Sequence, residues 1–441
     1  MNITSSYGIE IRNMNRIFRE TVGIYRKALA FLVDVYDSEW DHLSVILQKQ
    51  KRFNTAEHLI HSTKTNTAVY DFDDRFYKIP SYLRRDLVNT ALGIVSSYKS
   101  SLKNWEASGR VGSRPRLQTN HFQMPVFFRD NMYQETESDT VCRLKLFHEN
   151  DWIWFTVNLK KTDVNYLRKY WSHAAASAPR LEKRHKRYFL RFSYEENVTL
   201  SKAPVKDQTI CAVDLGINTD AVCSIMRPDG TVAARRFINL AAEKDHLYHV
   251  LNRIRKFQRQ HGSKNSHGFW EYAKRLNEEQ AKTTANKIVS FAAAHFADVI
   301  VFEYLDTKGK KHGSKKQKLH MWRKNYIQKA AEHKAHRAGI RIARVNARYT
   351  SQLAYDGSGE VERDEHDNRW CTFKNGKSYN CDLSASYNIG ARYFIRERLK
   401  PLSATVRSSL EAKVPSVKRR TSCVYADLLL LSTELGSMQA A

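Results

Sequence analysis

Apolar residues recur at helical spacing from about residue 11 to 48, through Ile17, Val22, Tyr25, Leu29, Leu32 and Val33, and again from Ile79 to Trp105, a stretch that opens with Pro80. Both patterns predict helices. Between them, residues 61–74 are polar and turn-rich. Past the basic loop Gly109-Arg-Val-Gly-Ser-Arg-Pro115 the period changes to two. Phe122–Phe128, Cys142–Phe147, Trp152–Leu159 and Tyr188–Glu195 alternate and predict strands, so the first half reads as a β-domain with a helical pair inserted near its start. The run Glu182-Lys-Arg-His-Lys-Arg187 falls on its surface, as a solvated face or as a contact for a nucleic-acid backbone.

The second half has a different order. Ile210–Leu215 predicts a strand, and Asp220–Met226 and Val232–Ile238 predict a hairpin around Arg227-Pro-Asp-Gly230. A long helical region follows from about His246 to Ala297, broken at Gly262-Ser-Lys-Asn265. Then come a strand at Val299–Glu303, a basic loop at Lys308–Lys316, a helix at about Leu319–Ala338 and a strand at Ile340–Val345. This is the order of an α/β ribonuclease-H-like domain.

Three acids stand at telling places in that order. Ile210-Cys-Ala-Val-Asp-Leu-Gly216 and Asp298-Val-Ile-Val-Phe-Glu303 each deliver a carboxylate at or near the end of an apolar strand, and Asp382-Leu-Ser-Ala-Ser-Tyr-Asn-Ile389 opens a helical pattern with one. Asp214 and Glu303 come side by side if their strands are parallel neighbours, because ligands of open α/β sheets bind at the carboxyl ends of the strands. Asp382 can then join them. Clustered carboxylates raise one another's pKa unless a cation lies between them, and hard oxygen ligands suit Mg²⁺ or Mn²⁺, which grip phosphate oxygens.

Charge points to the same substrate. The chain has 73 Lys+Arg against 46 Asp+Glu, a formal +27 in 441 residues, and such an excess favours a polyanion through counterion release. With it come 22 Tyr, 20 Phe and 8 Trp as stacking faces. The six cysteines, at 142, 211, 223, 371, 381 and 423, form no disulfide framework, and the N-terminus has no signal-peptide hydrophobic region, which together fit a reducing cytoplasm. No run approaches the ~18 apolar residues of a membrane span, and Leu428–Leu431 is too short.

Asp214-Leu-Gly-Ile-Asn, Phe302-Glu303-Tyr-Leu, Tyr349-Thr-Ser-Gln352, Asp382-Leu-Ser-Ala-Ser-Tyr-Asn-Ile389 and Trp322-Arg-Lys-Asn-Tyr-Ile-Gln-Lys329 together resemble the split RuvC nuclease of transposon-encoded TnpB proteins and of compact type V CRISPR effectors. The resemblance is strong over residues 206–395 and rests on domain order before that. It implies a wedge-like β-barrel from residues 1–10 and 115–205, a helical recognition lobe at 11–114, a RuvC domain split between 206–346 and 382–400, a nucleic-acid-binding insertion at 347–381 and a C-terminal tail at 401–441. The implied activity is RNA-guided cutting of DNA beside a short flanking motif, in a prokaryotic cell. Guide RNA and target double-stranded DNA are the implied partners. Two Mg²⁺ or Mn²⁺ ions are implied as cofactors, Asp214 bridging both and Glu303 and Asp382 each holding one.

Arg253, Arg255, Lys256, Arg259 and the 308–316 loop with Lys315 and Lys316 are candidates for backbone contact, and Trp322, beside Arg323, for base stacking. The family's zinc ribbon is degenerate here. Leu353–Ser358, where a first Cys-x-x-Cys knuckle belongs, has no cysteine, and the second is reduced to Cys371 and Cys381. Two thiolates do not complete a four-ligand structural site, and His366 and Asp367 have the wrong spacing, so zinc is not expected. Two rival functions share the fold. An RNase H-fold transposase needs terminal-repeat recognition, for which the sequence offers no helix-turn-helix candidate; a binding-only RNA-guided regulator is expected to lose the acids, and all three are present. Monomer or dimer is left open.

Overall fold

The computed structural model describes residues 1–119, 124–262, 265–305, 321–364, 367, 369–419 and 421–440. They form two compact units, Asn2–Glu196 and Asn197 onward, the latter together with Met1.

In the first unit, β1 (Asn2–Glu10) leads into α1 (Arg16–Ser38), whose start is fixed by the Asn15 side chain accepting from the Ile17 amide at 3.0 Å. The long helix expected over 11–48 stops at Glu39 and is followed by short α2 (Trp40–Ser44), α3 (Lys49–His58) and α4 (Phe72–Arg75). Helix α5 (Ser81–Ala107) starts behind Pro80 as its pattern predicts and buries Leu83, Leu87, Val88, Ala91 and Val95 in the core that α1 lines with Phe18, Val22, Tyr25, Leu29, Leu32 and Val33. β2 (Tyr133–Glu135), β3 (Val141–His148) and β4 (Asp151–Asn158) form an antiparallel sheet. The β3–β4 turn places Glu149 and Asn150 both at positive φ, the two-residue turn that suits hairpin twist. After α6 (Lys161–Trp171), β5 (Arg180–Arg184) and β6 (Arg187–Asn197) join β1 in a second sheet of order β1-β6-β5.

Two expectations fail in this unit. The strand expected at 122–128 is, over its described residues, an irregular segment with an isolated bridge from Val126 to Arg180, because Pro125 has no amide to give a ladder. Helix α6 stands where only strands were expected: Val164, Leu167 and Trp171 are spaced for a buried helical face.

The second unit is built on a five-stranded sheet of order β11-β10-β7-β8-β9. β7 (Ile210–Asp214), β8 (Ala221–Met226) and β9 (Val232–Ile238) run antiparallel in turn, and the predicted turn is closed by the Gly230 amide donating to Arg227 O at 3.0 Å with Gly230 at φ 92. Two helices follow, α7 (Ala241–His261) and α8 (His267–Ala294), separated at Gly262 as expected. β10 (Val299–Tyr304) then pairs parallel with β7, and after α9 (Lys324–Arg337) β11 (Arg341–Asn346) pairs parallel with β10. This is the ribonuclease-H-like order read from the sequence.

Alternation along fully buried strands feeds two cores. Ile210, Ala212, Val299 and Val301 face one, with α10 (Cys381–Leu399); Cys211, Val213, Ile300 and Phe302 face the other, with α8 and α9. Each such buried aliphatic side chain contributes ~1.5–3 kcal/mol. Gly390 lets α10 lie close to the sheet: a Cβ there would meet Met226 Sδ at 2.9 Å and Ala212 Cβ at 3.3 Å. Before α10, β12 (Glu362–Arg363), β13 (Trp370–Thr372) and β14 (Ser378–Asn380) make a small antiparallel sheet. The segment expected as a C-terminal tail instead folds as α11 (Ala404–Lys413) and α12 (Tyr425–Ala440), with Leu410, Val414, Val417, Leu428 and Leu431 completing the α10 core.

Candidate active site

The apolar run of β7 ends on Asp214, and the β10 register sets Val213 opposite Phe302, so one further step along each parallel strand brings Asp214 beside Glu303. Both are buried, at 9% and 7% exposure. Asp382 comes from the first turn of α10, a helix end capped by Asn380 Oδ1 accepting from the Leu383 amide at 2.9 Å. An acid in that turn also meets the positive end of the helix dipole. Thus two strand ends and one helix start bring the three sequence-predicted acids to one edge of the sheet.

Their electrostatics follow from burial and proximity. Asp214 is held well above the usual carboxylate range, first by desolvation and then by the charges of Glu303 and Asp382, with Arg363 opposing. Desolvation also raises Glu303, against a hydrogen bond from the Thr350 hydroxyl and the attraction of Arg392. Asp382 is raised by desolvation too, against a hydrogen bond with Thr219 and the charge of Arg363. Buried carboxylates that strain against one another are the donor chemistry a hard divalent cation neutralises. As they stand, among the described residues, no three His, Cys, Asp or Glu side chains make a finished metal-ligand group. The donor set is of the kind that fits Mg²⁺ or Mn²⁺.

Sequence reasoning missed the groups that hold the acids. Arg392, 4% exposed on α10, donates Nη1 to Asn346 O at 2.8 Å and Arg348 O at 2.7 Å, Nη2 to Thr421 O at 2.8 Å and Nε to Cys423 O at 2.9 Å. Asn388 Nδ2 donates to Thr350 O at 3.0 Å and Leu353 O at 2.9 Å, which fixes the turn whose hydroxyl reaches Glu303. Gln328 of α9 donates to Glu303 O at 2.9 Å. Thr350 and Asn388 lie inside two of the quoted motifs; the arginine's signal was a charge in the middle of the apolar run Ile389–Ile395.

Residues 325–389 match the family described as Cas12f1-like, TNB domain, and residues 5–148 match the Aq_aa04 family. The chain superposes on a Cas12f1–sgRNA–target DNA complex solved by cryo-EM with a TM-score of 0.50 at 14% identity, covering 94% of this chain and 81% of that one. On the mini-RNA-guided endonuclease CRISPR-Cas_phi3 the TM-score is 0.52 at 12% identity, covering 88% and 92%. The chain has the fold of the compact type V, TnpB-like effectors. Its amino-terminal part is also 27% identical over 149 residues to the uncharacterized protein aq_aa04 of Aquifex aeolicus (strain VF5), over 30% of this chain and 84% of that protein.

Within the part that matches the TNB domain of these effectors, Cys371 and Cys381 are buried with Ala354 and Phe373 in a small apolar cluster that Tyr355, Val361 and Tyr379 flank. Ala354 comes from the segment where the first knuckle would lie. Burial, and then Cys371, push the Cys381 thiol up to about 12. His366 lies outside the described residues, and Asp367 is bound to Arg369 at 2.7 Å. Of the expected nucleic-acid contacts in this effector-like unit, Arg253, Arg255, Lys256 and Arg259 are all exposed on α7. Lys315 and Lys316, with the rest of the 308–316 loop, lie outside the described residues. Trp322 and Arg323 interrupt the helix expected at about Leu319–Ala338: Met321 before them is helical, and α9 begins at Lys324. Trp322 is half-buried against the second core, and Arg323 pairs with Glu278 at 3.3 Å. Among the described residues, no helix is long and apolar enough to cross a membrane.

Proposed function

We propose that the chain is an RNA-guided DNA endonuclease that cuts target DNA beside a short flanking motif at Asp214, Glu303 and Asp382. The observation that carries this reading is the convergence of two buried carboxylates at the ends of parallel strands with a third, half-buried, from a helix start, in a chain that shares its fold with RNA-guided effectors. A fold that only bound nucleic acid would gain nothing from them, since burying unpaired charge is costly.

In this reading Asp214, Glu303 and Asp382 hold two Mg²⁺ or Mn²⁺ ions. Such ions, when bound, supply a water of lowered pKa and stabilise the leaving 3′ oxygen. Thr350 bonds Glu303 and Thr219 bonds Asp382, keeping each turned to the site, while Arg392 adds a favourable charge near Glu303. The two sheets of the first unit serve as the wedge and its helices over 11–114 as the recognition lobe. Target sequence is read by pairing with a guide RNA, and the exposed cations of α7 contact the backbone.

Asp214→Ala, Glu303→Ala and Asp382→Ala each abolish plasmid cleavage while a mobility-shift assay shows guide-RNA and target binding within about threefold of wild type. EDTA does the same. Replacing the guide segment redirects the cut, and mismatches beside the flanking motif block it more than distal ones. Retained cutting by Asp214→Ala sinks the active-site assignment, and site-specific cutting by RNA-free protein sinks the guided one.

A further inference from the structure

Asp214 shares a row of the sheet with an exposed aromatic ring. It pairs with Val222 on β8, and Val222 pairs with Phe237 on β9, so the three stand abreast on neighbouring strands. Two strand spacings of ~4.8 Å put the Phe237 backbone about 10 Å from that of Asp214. Residues paired in this way project to one face of a sheet. Here that face is the α10 side: Val222 lies in the core built with α10, whereas Ile238, next to Phe237, lies in the opposite core with α8 and α9. Asp382 reaches the acids from α10 on the same side.

Helix α10 covers β8 and leaves β9 open. The Ser386 and Ser224 hydroxyls meet at 2.5 Å, which sets the helix over β8, while Arg235, paired with Ser224 on the next strand, is exposed and Phe237 is 50% exposed. β9 is also the edge of the sheet. A concavity of about 450 Å³ adjoins this side of the acids, lined by Asn218, Thr219, Asn239, Asp367 and Arg369. Thr219 is the hydrogen-bond partner of Asp382, and Asn239 follows Phe237 by two residues. The two charges of the concavity neutralise each other in the Asp367–Arg369 pair at 2.7 Å. The surface from Asp382 towards the edge strand is thus hollow, and it ends near an aromatic ring with a cation two residues away on the same face.

A single exposed ring is ordinary on a protein surface. This one is in line with the acids and close enough for a nucleotide beside the scissile bond to span the gap. A ring next to a cation is the pairing that holds an unpaired base and its phosphate whatever the sequence. We propose that Phe237 is a positioning residue for the cut: a base of the DNA strand being cleaved stacks on its ring, Arg235 meets the adjoining phosphate, and the scissile bond is thereby laid over Asp214, Glu303 and Asp382. The proposal rests on the nuclease reading. It requires that base to be out of the duplex, since a stacked and paired base has no free face to offer.

The test uses the full-length protein with its copurified RNA and a target complementary to the guide, followed by single-turnover cleavage. An abasic site is moved one nucleotide at a time through each strand around the cut. In wild type it slows cleavage roughly 5- to 30-fold at one or two positions, the worth of one base–aromatic stack. Phe237→Ala slows cleavage of the intact target by a similar factor, and an abasic site at the sensitive position then costs it less than about twofold more, because the two changes remove the same contact. Phe237→Trp cuts at least as fast as wild type. Mobility shift shows target binding by both variants within about twofold, and both melt within about 2 °C of wild type. Losses that multiply when Phe237→Ala and the abasic site are combined overturn the proposal, as does a flat abasic profile in wild type, and both leave the nuclease reading standing. A dimer seen by light scattering in wild type and lost in Phe237→Ala overturns it too, by showing that the ring meets a second copy of the chain. If wild type cuts no guided target, the nuclease reading fails and this proposal with it.

Discussion

Arg392→Met isolates what the buried guanidinium does, because methionine keeps much of the volume and removes every donor. The wild-type side chain is 4% exposed and satisfies four main-chain carbonyls, those of Asn346, Arg348, Thr421 and Cys423. A buried acceptor stripped of its donor costs ~1–3 kcal/mol. Local relaxation recovers part of this, so a net loss of about 3–5 kcal/mol is expected, the range for breaking a buried charged network. For a unit of this size each kcal/mol lowers the melting temperature by ~2–4 °C, which gives a fall of roughly 6–20 °C in the transition of the second unit. Arg392→Lys recovers only part, because one ammonium on a flexible stem does not reproduce a planar fork. The same guanidinium attracts Glu303, so Arg392→Met also drives that carboxyl further up and weakens divalent-ion binding, which needs it ionised. Calorimetry and a Mg²⁺ titration of cleavage read the two effects. A variant that melts within about 2 °C of wild type refutes the reasoning.

Three further outcomes follow from single sites. Burial raises Asp86 more than the Tyr25 hydroxyl, 3.0 Å away, and Arg180 lower it, so its charge opposes folding: the stability it contributes is present below its unfolded pKa near ~4 and lost as pH rises through the higher folded value. Tyr25→Phe therefore costs about 1–2 kcal/mol in urea melts at pH 7 and less near pH 4, and an equal cost at both pH values contradicts this. Gly390→Val pushes into Met226 and Ala212 and lowers stability by about 2 kcal/mol or more, with a near-neutral thermal melt as the disproof. Cys371→Ser and Cys381→Ser leave the metal content of purified protein unchanged and cost about 1–2 kcal/mol for a hydroxyl in an apolar cluster, whereas stoichiometric zinc lost on mutation means the cluster is a metal site after all.

The acids were legible because local pattern and topology agree at them. Runs such as Ile210–Val213 and Val299–Phe302 are apolar on both faces, which only a strand covered on both sides requires, and a carboxylate closing each run has no structural reason to be there. What holds the acids was not legible, because Arg392, Thr350 and Gln328 act on partners that are distant in sequence or belong to the main chain. Helix α6 was hidden by strands on either side that set the expected period at two, and the last two helices by their mixed polarity; Leu410, Val417 and Leu431 become a core only when α10 supplies its other half. Pro125 was the reverse case: the alternation was present, but the residue that forbids a ladder sat inside it.

The protein's own answer to the carboxylate repulsion is incomplete, and the proposed metal reading accounts for that. Arg363, on the β12 strand of the TNB-matching insertion, opposes the raised pKa of both Asp214 and Asp382, yet it is exposed, so solvent screens it. Thr350 and Thr219 offer neutral hydrogen bonds, and Arg392 spends its donors on carbonyls rather than on Glu303. All three acids remain raised despite these partners. A structural ion pair would place a cation against the acids and bond it fully, as Arg392 is bonded by its four carbonyls. Here the firmly held cation attracts Glu303 without bonding it, and the cation that attracts Asp214 and Asp382 is exposed, on an inserted strand. Such an arrangement favours taking up positive charge from outside while leaving the ligand oxygens free to receive it. If Arg363 serves as that loose countercharge, Arg363→Ala raises the divalent-ion concentration needed for stability less than Arg392→Met does, and Mg²⁺ raises the melting temperature of the Arg363→Ala protein more than that of wild type. An equal Mg²⁺ shift in the two proteins shows that Arg363 carries none of this load.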